Sequence, residues 1–300
     1  MKFDIVTFGS AVVDVFVDTD VDEKKGFMCY PTGSKILLKN LRYDLGGGGT
    51  NTAVAFSRVG LRTGCICKVG DDVDGTEILN VLKKEKVQFL GRIDKRKMSG
   101  YSIILDSKEN NRTVLTYKGA NDEVSFSEIK KFETKWIYFS SVLGESLKTQ
   151  RKLAEMLVKK GVKLAFNPSE YLIKNENINS LLKLTEVLIL NKEEAEMLAG
   201  KGERKDLLEI LHKKGPRVIV ITDRDREIRA YDGKKKYFLM PHRTKAVERT
   251  GAGDAFSSGF VAGIISGKSI DFSLRLGLRE SESVIRYFGA KNKLLKMKLK

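Results

Sequence analysis

Short apolar runs alternate with amphipathic segments along most of this 300-residue chain. The apolar runs predict strands at 3–8, 64–69, 135–140, 162–166, 186–190 and 217–222, and the last three are of the buried, parallel type. Segments with helical spacing lie at 50–60, 74–85, 146–161, 191–200 and 205–215. This alternation predicts an α/β fold in which a mostly parallel central sheet carries helices on both faces.

Two regions depart from the alternation. Residues 11–20 and 34–44 have the pattern of strands joined without a crossover helix, and residues 100–119 have that of a hairpin with a polar turn. Together they predict a small antiparallel sheet beside the main body. We expect one domain over residues 1–300, with a small β lid from about 12–44 and 98–119 that closes over a substrate.

Composition and charge indicate a soluble globular protein. Hydrophobic residues make up 41% of the chain, and no apolar run approaches the roughly 18 residues of a membrane span. The three cysteines, Cys29, Cys65 and Cys67, form no metal-binding or redox motif, so we expect a cytoplasmic protein. The net charge is +16, but no basic run is interleaved with aromatic residues. Nucleic acid is therefore not an expected partner.

Residues 249–269 contain two candidate phosphate-binding sequences. The second, AGIISGKS at 262–269, fits a loose P-loop pattern. A P-loop must follow a strand and precede a helix, whereas AGIISGKS follows a stretch of small apolar residues with helical spacing. We therefore expect Gly267 to end a helix and Lys268 to lie on the surface near the negative end of the helix dipole.

The first candidate, GAGD at 251–254, has the context that phosphate binding requires. A predicted strand at 237–241 precedes it and the small-residue helix follows it. Helix N-termini present free N–H groups and positive partial charge, and glycines let the backbone approach an anion closely. Asp254 in the first helical turn fits either an anion-binding site or simple stabilisation of the helix dipole.

A second glycine-rich segment, GGGGTN at 46–51, precedes another predicted helix. Four consecutive glycines exceed what a tight turn needs and predict a close backbone approach or a hinge. Asn51 at the helix start can donate and accept hydrogen bonds. Asp14 interrupts an otherwise apolar strand, where it is either an exposed strand residue or a carboxylate that binds two hydroxyl groups.

Together these segments resemble the ribokinase family of carbohydrate kinases, also called the phosphofructokinase-B family. The resemblance extends over nearly the whole chain and implies a ribokinase-like fold. It rests on six segments in the family's order: FGSAVVDVFV (8–17), GGGGTNTAVAFSRVGLRTG (46–64), KVGDDVDG (68–75), KGAND (118–122), NKEE (191–194) and ERTGAGDAFSSGFVAGI (248–264).

The resemblance implies a role for each matching residue. Asp254 would be the general base that takes the proton of the substrate hydroxyl, and the anion hole would consist of Gly251, Ala252 and Gly253. The substrate would contact Asp14, Gly46, Gly47 and Asn51, and the double glycine near Gly46 would be the lid hinge. The nucleotide would contact Asn191, Thr222, Gly251 and Gly253. Mg²⁺ would be ordered by Asn191 and Glu194.

Two segments depart from the family's pattern. The family's Asp-Thr-Thr before GAGD is here Glu248-Arg249-Thr250, which leaves activation by a monovalent cation such as potassium open. The family's Thr-x-Gly after a central strand is here Thr222-Asp223-Arg224. Because a backbone contact to the nucleotide depends on that glycine, the choice between ATP, ADP and another donor also stays open.

We expect an ATP- and Mg²⁺-dependent kinase that phosphorylates a hydroxyl of a ribose- or fructose-like sugar. A nucleoside kinase or a sugar-phosphate kinase on the same fold is the alternative, and in the latter Lys35 and Arg112 would bind the acceptor's phosphate. A non-catalytic sugar- or nucleic-acid-binding protein is disfavoured, because binding alone does not require Asp254. The resemblance also implies a homodimer formed through the lid.

Overall fold

The computed structural model describes residues 1–109, 111–200 and 204–299. Its strands are β1 Lys2–Phe8, β2 Val12–Asp18, β3 Glu23–Lys24, β4 Phe27–Met28, β5 Asn40–Gly46, β6 Thr63–Ile66, β7 Lys68–Gly70, β8 Gln88–Phe89, β9 Arg92–Asp94, β10 Gly100–Asp106, β11 Arg112–Tyr117, β12 Glu133–Ser140, β13 Lys163–Asn167, β14 Thr185–Asn191, β15 Val218–Thr222, β16 Ile228–Tyr231 and β17 Lys236–Leu239. Its helices are α1 Gly48–Arg58, α2 Val73–Lys84, α3 Gly144–Val158, α4 Glu170–Asn175, α5 Asn179–Leu184, α6 Lys192–Ala199, α7 Arg204–Lys213, α8 Ala252–Ile265 and α9 Ile270–Val284.

The main sheet has nine strands in the order β17-β16-β15-β14-β13-β12-β1-β6-β8. Pairing is parallel from β15 to β8 and antiparallel at β16 and β17. Alternate residues of the central strands enter cores on opposite faces. Ile137 and Phe139 of β12 pack into one core, and Trp136 and Tyr138 into the other. Helices therefore cover both faces, as the continuous apolar runs predict.

A separate sheet has four strands in the order β11-β10-β2-β5. Two of its pairings are antiparallel, β2 with β5 and β10 with β11. The prediction of an entirely antiparallel sheet is wrong, because β2 and β10 pair in parallel. The chain enters the small sheet twice from the main body, at Val12 and at Gly100, and both strands run in the same direction.

Two strand boundaries also differ from the predictions. The stretch 64–69 is divided because Ile66 of β6 pairs with Phe8, the last residue of β1, whereas Lys68 of β7 pairs with β9. Residues 34–39 form no strand. The Lys39 N–H donates to the carbonyl of Asp18, which is the last residue of β2. Residues 34–38 therefore lie beyond the end of the strand with which β5 pairs.

Several elements have no counterpart among the predictions, namely β3, β4, β8, β9, β16, α4, α5 and α9. Apart from α9, these elements have two to six residues each, too few for a hydrophobic period to stand out. None of the helices in the described ranges has the length and hydropathy needed to span a bilayer.

Candidate active site

The parallel strands bring several of the candidate residues to one edge of the main sheet. Asn191 ends β14 and Thr222 ends the adjacent β15, and these two residues pair in register. In α/β sheets, ligands bind at the carboxyl ends of parallel strands. Candidates from distant parts of the sequence therefore face a common region.

The GAGD segment forms the N-terminus of α8. Gly251 is its N-cap with a left-handed φ of 83°, a conformation that favours glycine. The Ala252 N–H donates to the Arg249 carbonyl at 3.2 Å. The N–H groups of Gly253 and Asp254 have no partner within the described ranges, and a side chain at Gly253 would project into open space. The helix start thus presents to open space two N–H donors that nothing in the described ranges occupies.

Asn51 connects the two glycine-rich segments. Its Nδ2 donates to Asp254 Oδ2 at 2.8 Å across 203 positions of sequence. Burial raises the pKa of the Asp254 carboxyl, while the Asn51 hydrogen bond and the positive charge of Lys291 lower it. Asp254 is thus a half-buried carboxylate with an amide donor on one oxygen, a setting suited to proton transfer.

The glycines of the 46–49 segment allow the backbone to pass close to neighbouring groups. A Cβ at Gly46 would lie 2.6 Å from Cγ of Asp14. A Cβ at Gly49 would lie 2.6 Å from the carbonyl carbon of Gly9, which no real side chain tolerates. Gly47 has a φ of 96° and caps α1. The four glycines therefore let α1 begin directly against β1 and β2.

Asp14 lies in the small sheet and faces the site. It is 5% exposed, and burial raises the pKa of its carboxyl to about 6, against the lowering effect of Lys291 and the Ser102 hydroxyl. A Cβ on Gly46 would overlap its carboxylate, so the absent side chain leaves room for it. This buried carboxylate can accept hydrogen bonds from hydroxyl groups of a ligand.

Asn191 and Glu194 form a capping box at the start of α6. Asn191 Oδ1 accepts the Glu194 N–H and Glu194 Oε2 accepts the Asn191 N–H, both at 2.8 Å. Burial raises the pKa of Glu194 to about 7. The charges of Asp254 and Glu194 both act on Tyr138 and, with its burial, raise the pKa of that phenol. The two carboxylates therefore face the same region.

This donor set fits a magnesium ion that accompanies a nucleotide. Within the described ranges, no group of three or more His, Cys, Asp or Glu side chains is placed to hold a metal alone. Mg²⁺ in kinases is typically held by one or two carboxylates, waters and substrate phosphates. Glu194 offers one such carboxylate, and a cation beside it would favour its charged form.

Comparison with known proteins identifies the family. Residues 2–297 match the pfkB family carbohydrate kinases. The chain is 25% identical to a cytidine kinase of Thermococcus kodakarensis over 95% of this chain and 97% of that protein. It is 26% identical to a ribokinase of Bacillus subtilis over 95% and 94% of the two chains. The structure of an Arabidopsis thaliana ribokinase complexed with ribose and ATP superposes with a TM-score of 0.80 at 19% identity, over 100% and 97% of the chains.

The chain belongs to the pfkB family of carbohydrate kinases. It has the ribokinase-like fold and is a phosphotransferase with a hydroxyl group as acceptor. The resemblance found in the sequence is confirmed.

One departure from the family's pattern lies in the turn after β15. Arg224 stands where the family's Thr-x-Gly has glycine, and its φ is 52°, in the left-handed region that favours glycine. An L-residue there costs roughly 1–2 kcal/mol. The loop after β15 thus has a left-handed residue at the position of the family's glycine. Arg224 also lies 3.4 Å from Glu193 as an ion pair.

The other departure places an arginine beside GAGD. Glu248 is buried and accepts hydrogen bonds from the N–H groups of Arg249 and Thr250, at 2.7 and 2.8 Å. The Arg112 guanidinium, from β11 of the small sheet, donates to the same carboxylate and to Thr250 Oγ1. Burial acts to raise the pKa of Glu248, but Arg112 and Thr250 outweigh it and hold the pKa below its ordinary value. This contact ties the small sheet to the segment that precedes the helix.

A cleft of about 910 Å³ separates the small sheet from this segment. Its lining carries four arginines, Arg42, Arg112, Arg224 and Arg249. The same lining carries four carboxylates, Asp18, Asp106, Glu109 and Glu248. The cleft is therefore polar but close to electrically neutral. Lys35, which with Arg112 was expected to bind the phosphate of a phosphorylated acceptor, is exposed and does not line this cleft.

Sequence reasoning missed Lys291, which lies in the site. It is a buried lysine within the lysine-rich segment 291–300, and its Nζ donates to Asn51 Oδ1 at 2.6 Å. No local pattern distinguishes it from the exposed Lys293, because only the fold of the chain after α9 turns it inward. The Arg112–Glu248 contact was missed for the same reason, since it joins residues 136 positions apart.

The P-loop-like segment AGIISGKS lies at the wrong end of α8. Ser266 is the C-cap and Gly267 follows with a φ of 70°, so Lys268 lies beyond the negative end of the helix. Gly267 therefore ends the helix, as predicted.

We expect Lys268→Ala to leave the Michaelis constant for nucleotide unchanged. Lys268 is exposed at the opposite end of α8 from GAGD, and exposed substitutions away from a site have small effects. Steady-state kinetics with varied nucleotide checks this. A large loss of nucleotide affinity would restore the P-loop interpretation.

Proposed function

We propose that this protein transfers the γ-phosphoryl group of ATP to a hydroxyl of a ribose- or fructose-like sugar. The observation that carries the proposal is the Asn51–Asp254 hydrogen bond of 2.8 Å. It unites a half-buried carboxylate, the N-terminus of a helix and the glycine-rich segment beside Asp14. A kinase site needs a base, an anion hole and an acceptor pocket at one place.

The proposed reaction assigns Asp254 as the general base. Asp254 accepts the proton of the acceptor hydroxyl as its oxygen forms a bond to the γ-phosphorus. The bond from that phosphorus to the bridging oxygen breaks, and its electron pair leaves with ADP. The backbone of Gly251, Ala252 and Gly253 forms the anion hole, in which the unpartnered Gly253 N–H stabilises the charge of the transferred group.

The proposed acceptor pocket includes Asp14, Gly46, Gly47 and Asn51. Asp14 and Asn51 bind sugar hydroxyls, and their burial makes those hydrogen bonds selective for hydroxyl-bearing ligands. The small sheet is the proposed lid, and Gly46 and Gly47 provide its hinge. Closure of the lid excludes water, which would otherwise compete as acceptor.

The proposed donor site lies at the ends of β14 and β15. Asn191 and Thr222 contact the nucleotide, and Asn191 with Glu194 orders Mg²⁺, which neutralises phosphate charge when bound. The similarity in fold to a ribokinase whose structure was solved with ribose and ATP favours ATP as donor. Potassium activation is not part of the proposal, because Glu248 is already paired with the Arg112 guanidinium.

A nucleoside kinase is the second candidate, favoured by the similarity to a cytidine kinase over 95% of the chain. A sugar-phosphate kinase is less favoured. The cleft arginines are matched by an equal number of carboxylates, whereas a phosphorylated acceptor calls for an excess of positive charge. Arg112 is also already bound to Glu248.

A phosphorylation screen tests the function. Purified protein with Mg²⁺ is combined with ATP, GTP or ADP and with ribose, fructose, ribonucleosides or fructose 6-phosphate, and products are identified by mass. We expect ATP with ribose or fructose to give the strongest turnover, with Asp254→Asn protein as the control. A strong preference for nucleosides or sugar phosphates would contradict the proposal that the acceptor is a sugar. Turnover with GTP or ADP but not with ATP would contradict the proposal that ATP is the donor.

We also propose that two copies associate through the outer face of the small sheet. This outer lid face consists of exposed apolar side chains that the strand register brings together: Leu41, Tyr43, Ile103, Leu115 and Tyr117. Tyr43 is 65% exposed. A contiguous apolar patch of this kind is typical of a protein interface.

We expect the double variant Tyr43→Glu/Leu115→Glu to be monomeric, because burying two unpaired charges at an interface is costly. Light scattering after gel filtration should give twice the chain mass of 33.7 kDa for the wild type and the single mass for the variant. Phe272→Glu, an exposed apolar residue of α9 in the main body, is the matched control. A monomeric wild type would contradict the proposal.

A cytoplasmic location is also proposed. The cysteines Cys29, Cys65 and Cys67 are all free thiols, and Cys65 and Cys67 are buried close together without forming a disulfide. Free thiols are typical of reducing compartments.

A further inference from the structure

Lys291 is a lysine enclosed within the candidate site. It is 8% exposed, and its Nζ donates to the Leu45 carbonyl and to Asn51 Oδ1. Lysines are seldom this buried unless they are paired. Burial lowers the pKa of Lys291, while the negative charges of Asp44, Asp14 and Asp254 raise it. The ammonium group is therefore the positive centre of a cluster of carboxylates.

Hydrogen bonds connect this ammonium to the proposed base. Lys291 Nζ donates to Asn51 Oδ1 at 2.6 Å, and Asn51 Nδ2 donates to Asp254 Oδ2 at 2.8 Å. An ammonium group can only donate, so it fixes which end of the Asn51 amide faces it. The NH₂ end must then face Asp254. Without Lys291, the Asn51 oxygen would lose its donor, and Asp254 would hold the amide from one side alone.

The arrangement leaves one oxygen of Asp254 available. Oδ2 is held by Asn51, whereas Oδ1 has no hydrogen-bond partner in the described part of the chain. Oδ1 lies on the side of Gly48, where a Cβ would be 3.5 Å from it. A base needs a free lone pair directed at the hydroxyl proton, and Oδ1 provides it.

The segment that carries Lys291 is held on both sides. The Arg58 guanidinium donates to the Lys291 carbonyl at 2.5 Å, and the Ala290 N–H donates to Asp44 Oδ2 at 3.1 Å. Arg58 is itself paired with Glu85. These contacts fix the main chain on either side of the lysine, so the position of its ammonium group is set by the fold.

We propose that Lys291 is a positioning residue for the Asp254 base, which orients the Asn51 amide and supplies the positive charge that balances the carboxylate. The inference rests on the proposed function, in which Asp254 accepts the hydroxyl proton. The titratable groups that face Asp254 and Lys291 come from several elements: Asp14 of β2, Asp44 of β5, Cys65 of β6 and Tyr138 of β12. None of these four groups becomes positively charged on titration, so Lys291 supplies the positive charge of the cluster.

The test is the pH dependence of kcat/KM for Lys291→Met, which keeps the length of the side chain and removes its charge. Loss of a nearby opposite charge raises a carboxyl pKa by about one unit or more. We expect the acidic limb of the profile to move upward by about one pH unit, which lowers kcat/KM about tenfold at pH values below the limb and leaves it little changed above the limb. The exposed Lys293→Met is the matched control and should superpose on the wild type.

Two further variants make the test decisive. Lys291→Gln keeps a donor in the buried pocket, so the same upward shift can be measured if Lys291→Met does not fold. Asp14→Asn shows which carboxyl gives rise to the acidic limb, because burial also raises the pKa of Asp14 to about 6. A limb that disappears in Asp14→Asn overturns the proposal. A limb that persists there and moves upward in the Lys291 variants supports it, because the charge of Lys291 acts on the Asp254 carboxyl, whereas the raised pKa of Glu194 has other causes.

The outcomes separate this inference from the function on which it rests. If Asp254→Asn retains its turnover, Asp254 is not the base and the premise of this inference is wrong, whereas a wild type that phosphorylates no acceptor contradicts the proposed function itself. If Asp254→Asn is inactive but the profile of the folded Lys291 variant superposes on the wild type, only the role of Lys291 is wrong. An upward shift of the acidic limb that occurs in the Lys291 variants and not in Lys293→Met supports both the role of Asp254 as base and the role of Lys291 in positioning it.

Discussion

Replacing Asp254 with asparagine is expected to lower kcat by at least about a hundredfold, the scale typical for loss of a general base. An amide cannot take the hydroxyl proton at Oδ1. It has nearly the same size as the carboxyl group, and its oxygen can still accept the hydrogen bond from Asn51 Nδ2. The variant should therefore fold and bind acceptor. Steady-state kinetics with the acceptor from the screen, together with calorimetric measurement of acceptor binding, checks both expectations.

The control for this variant is Asp271→Asn. Asp271 lies in the first turn of α9 as Asp254 lies in the first turn of α8. Each carboxylate contributes about 0.3–1 kcal/mol through the helix dipole. If Asp254 only stabilised the helix through the helix dipole, the two variants would lose similar stability and both would keep their turnover. Near-normal turnover of Asp254→Asn would thus remove the catalytic assignment.

Gly251→Ala is expected to lower turnover by about 10²–10³, the range for loss of an oxyanion-hole donor. Gly251 has a φ of 83°, and a Cβ there would lie 2.8 Å from Cα of Ala290 and closer still to its methyl group. Either the helix N-terminus or the Ala290–Lys291 segment must move. The first displaces the anion-hole donors, and the second displaces the lysine that orients Asn51.

The matched control is Gly267→Ala at the other end of the same helix. Gly267 has a φ of 70°, but a Cβ there would meet nothing within 4 Å. Both substitutions incur the strain of a left-handed residue, roughly 1–2 kcal/mol, and only Gly251→Ala adds a clash beside the proposed anion hole. The midpoint temperature of thermal unfolding should therefore fall in both variants, and kcat should fall only in Gly251→Ala. Equal turnover in the two variants would contradict the anion-hole assignment.

Much of the fold was predictable because its signals are local. Continuous apolar runs such as 186–190 and 217–222 become central strands buried on both faces. The context of GAGD, after a strand and before a small-residue helix, predicted a helix N-terminus, and the apolar stretch before Gly267 predicted a helix end. The failures arose where pairing with a distant strand overrode the local pattern. The stretch 64–69 has one uninterrupted pattern, but β1 ends at Phe8, and the chain beyond Ile66 has to find another partner.

Local residue patterns were enough to predict the α/β alternation, the helix that starts at GAGD, the glycine-rich second segment and the family resemblance. Each of these depends on residue types within a few positions of one another. Only the tertiary structure placed Asn51 against Asp254, Arg112 against Glu248 and Lys291 beneath Asn51. Hydrogen bonds and charge interactions act over a few ångströms in space whatever the separation in sequence. Residues as far apart as 240 positions therefore form one site without leaving a sign in the local pattern of either.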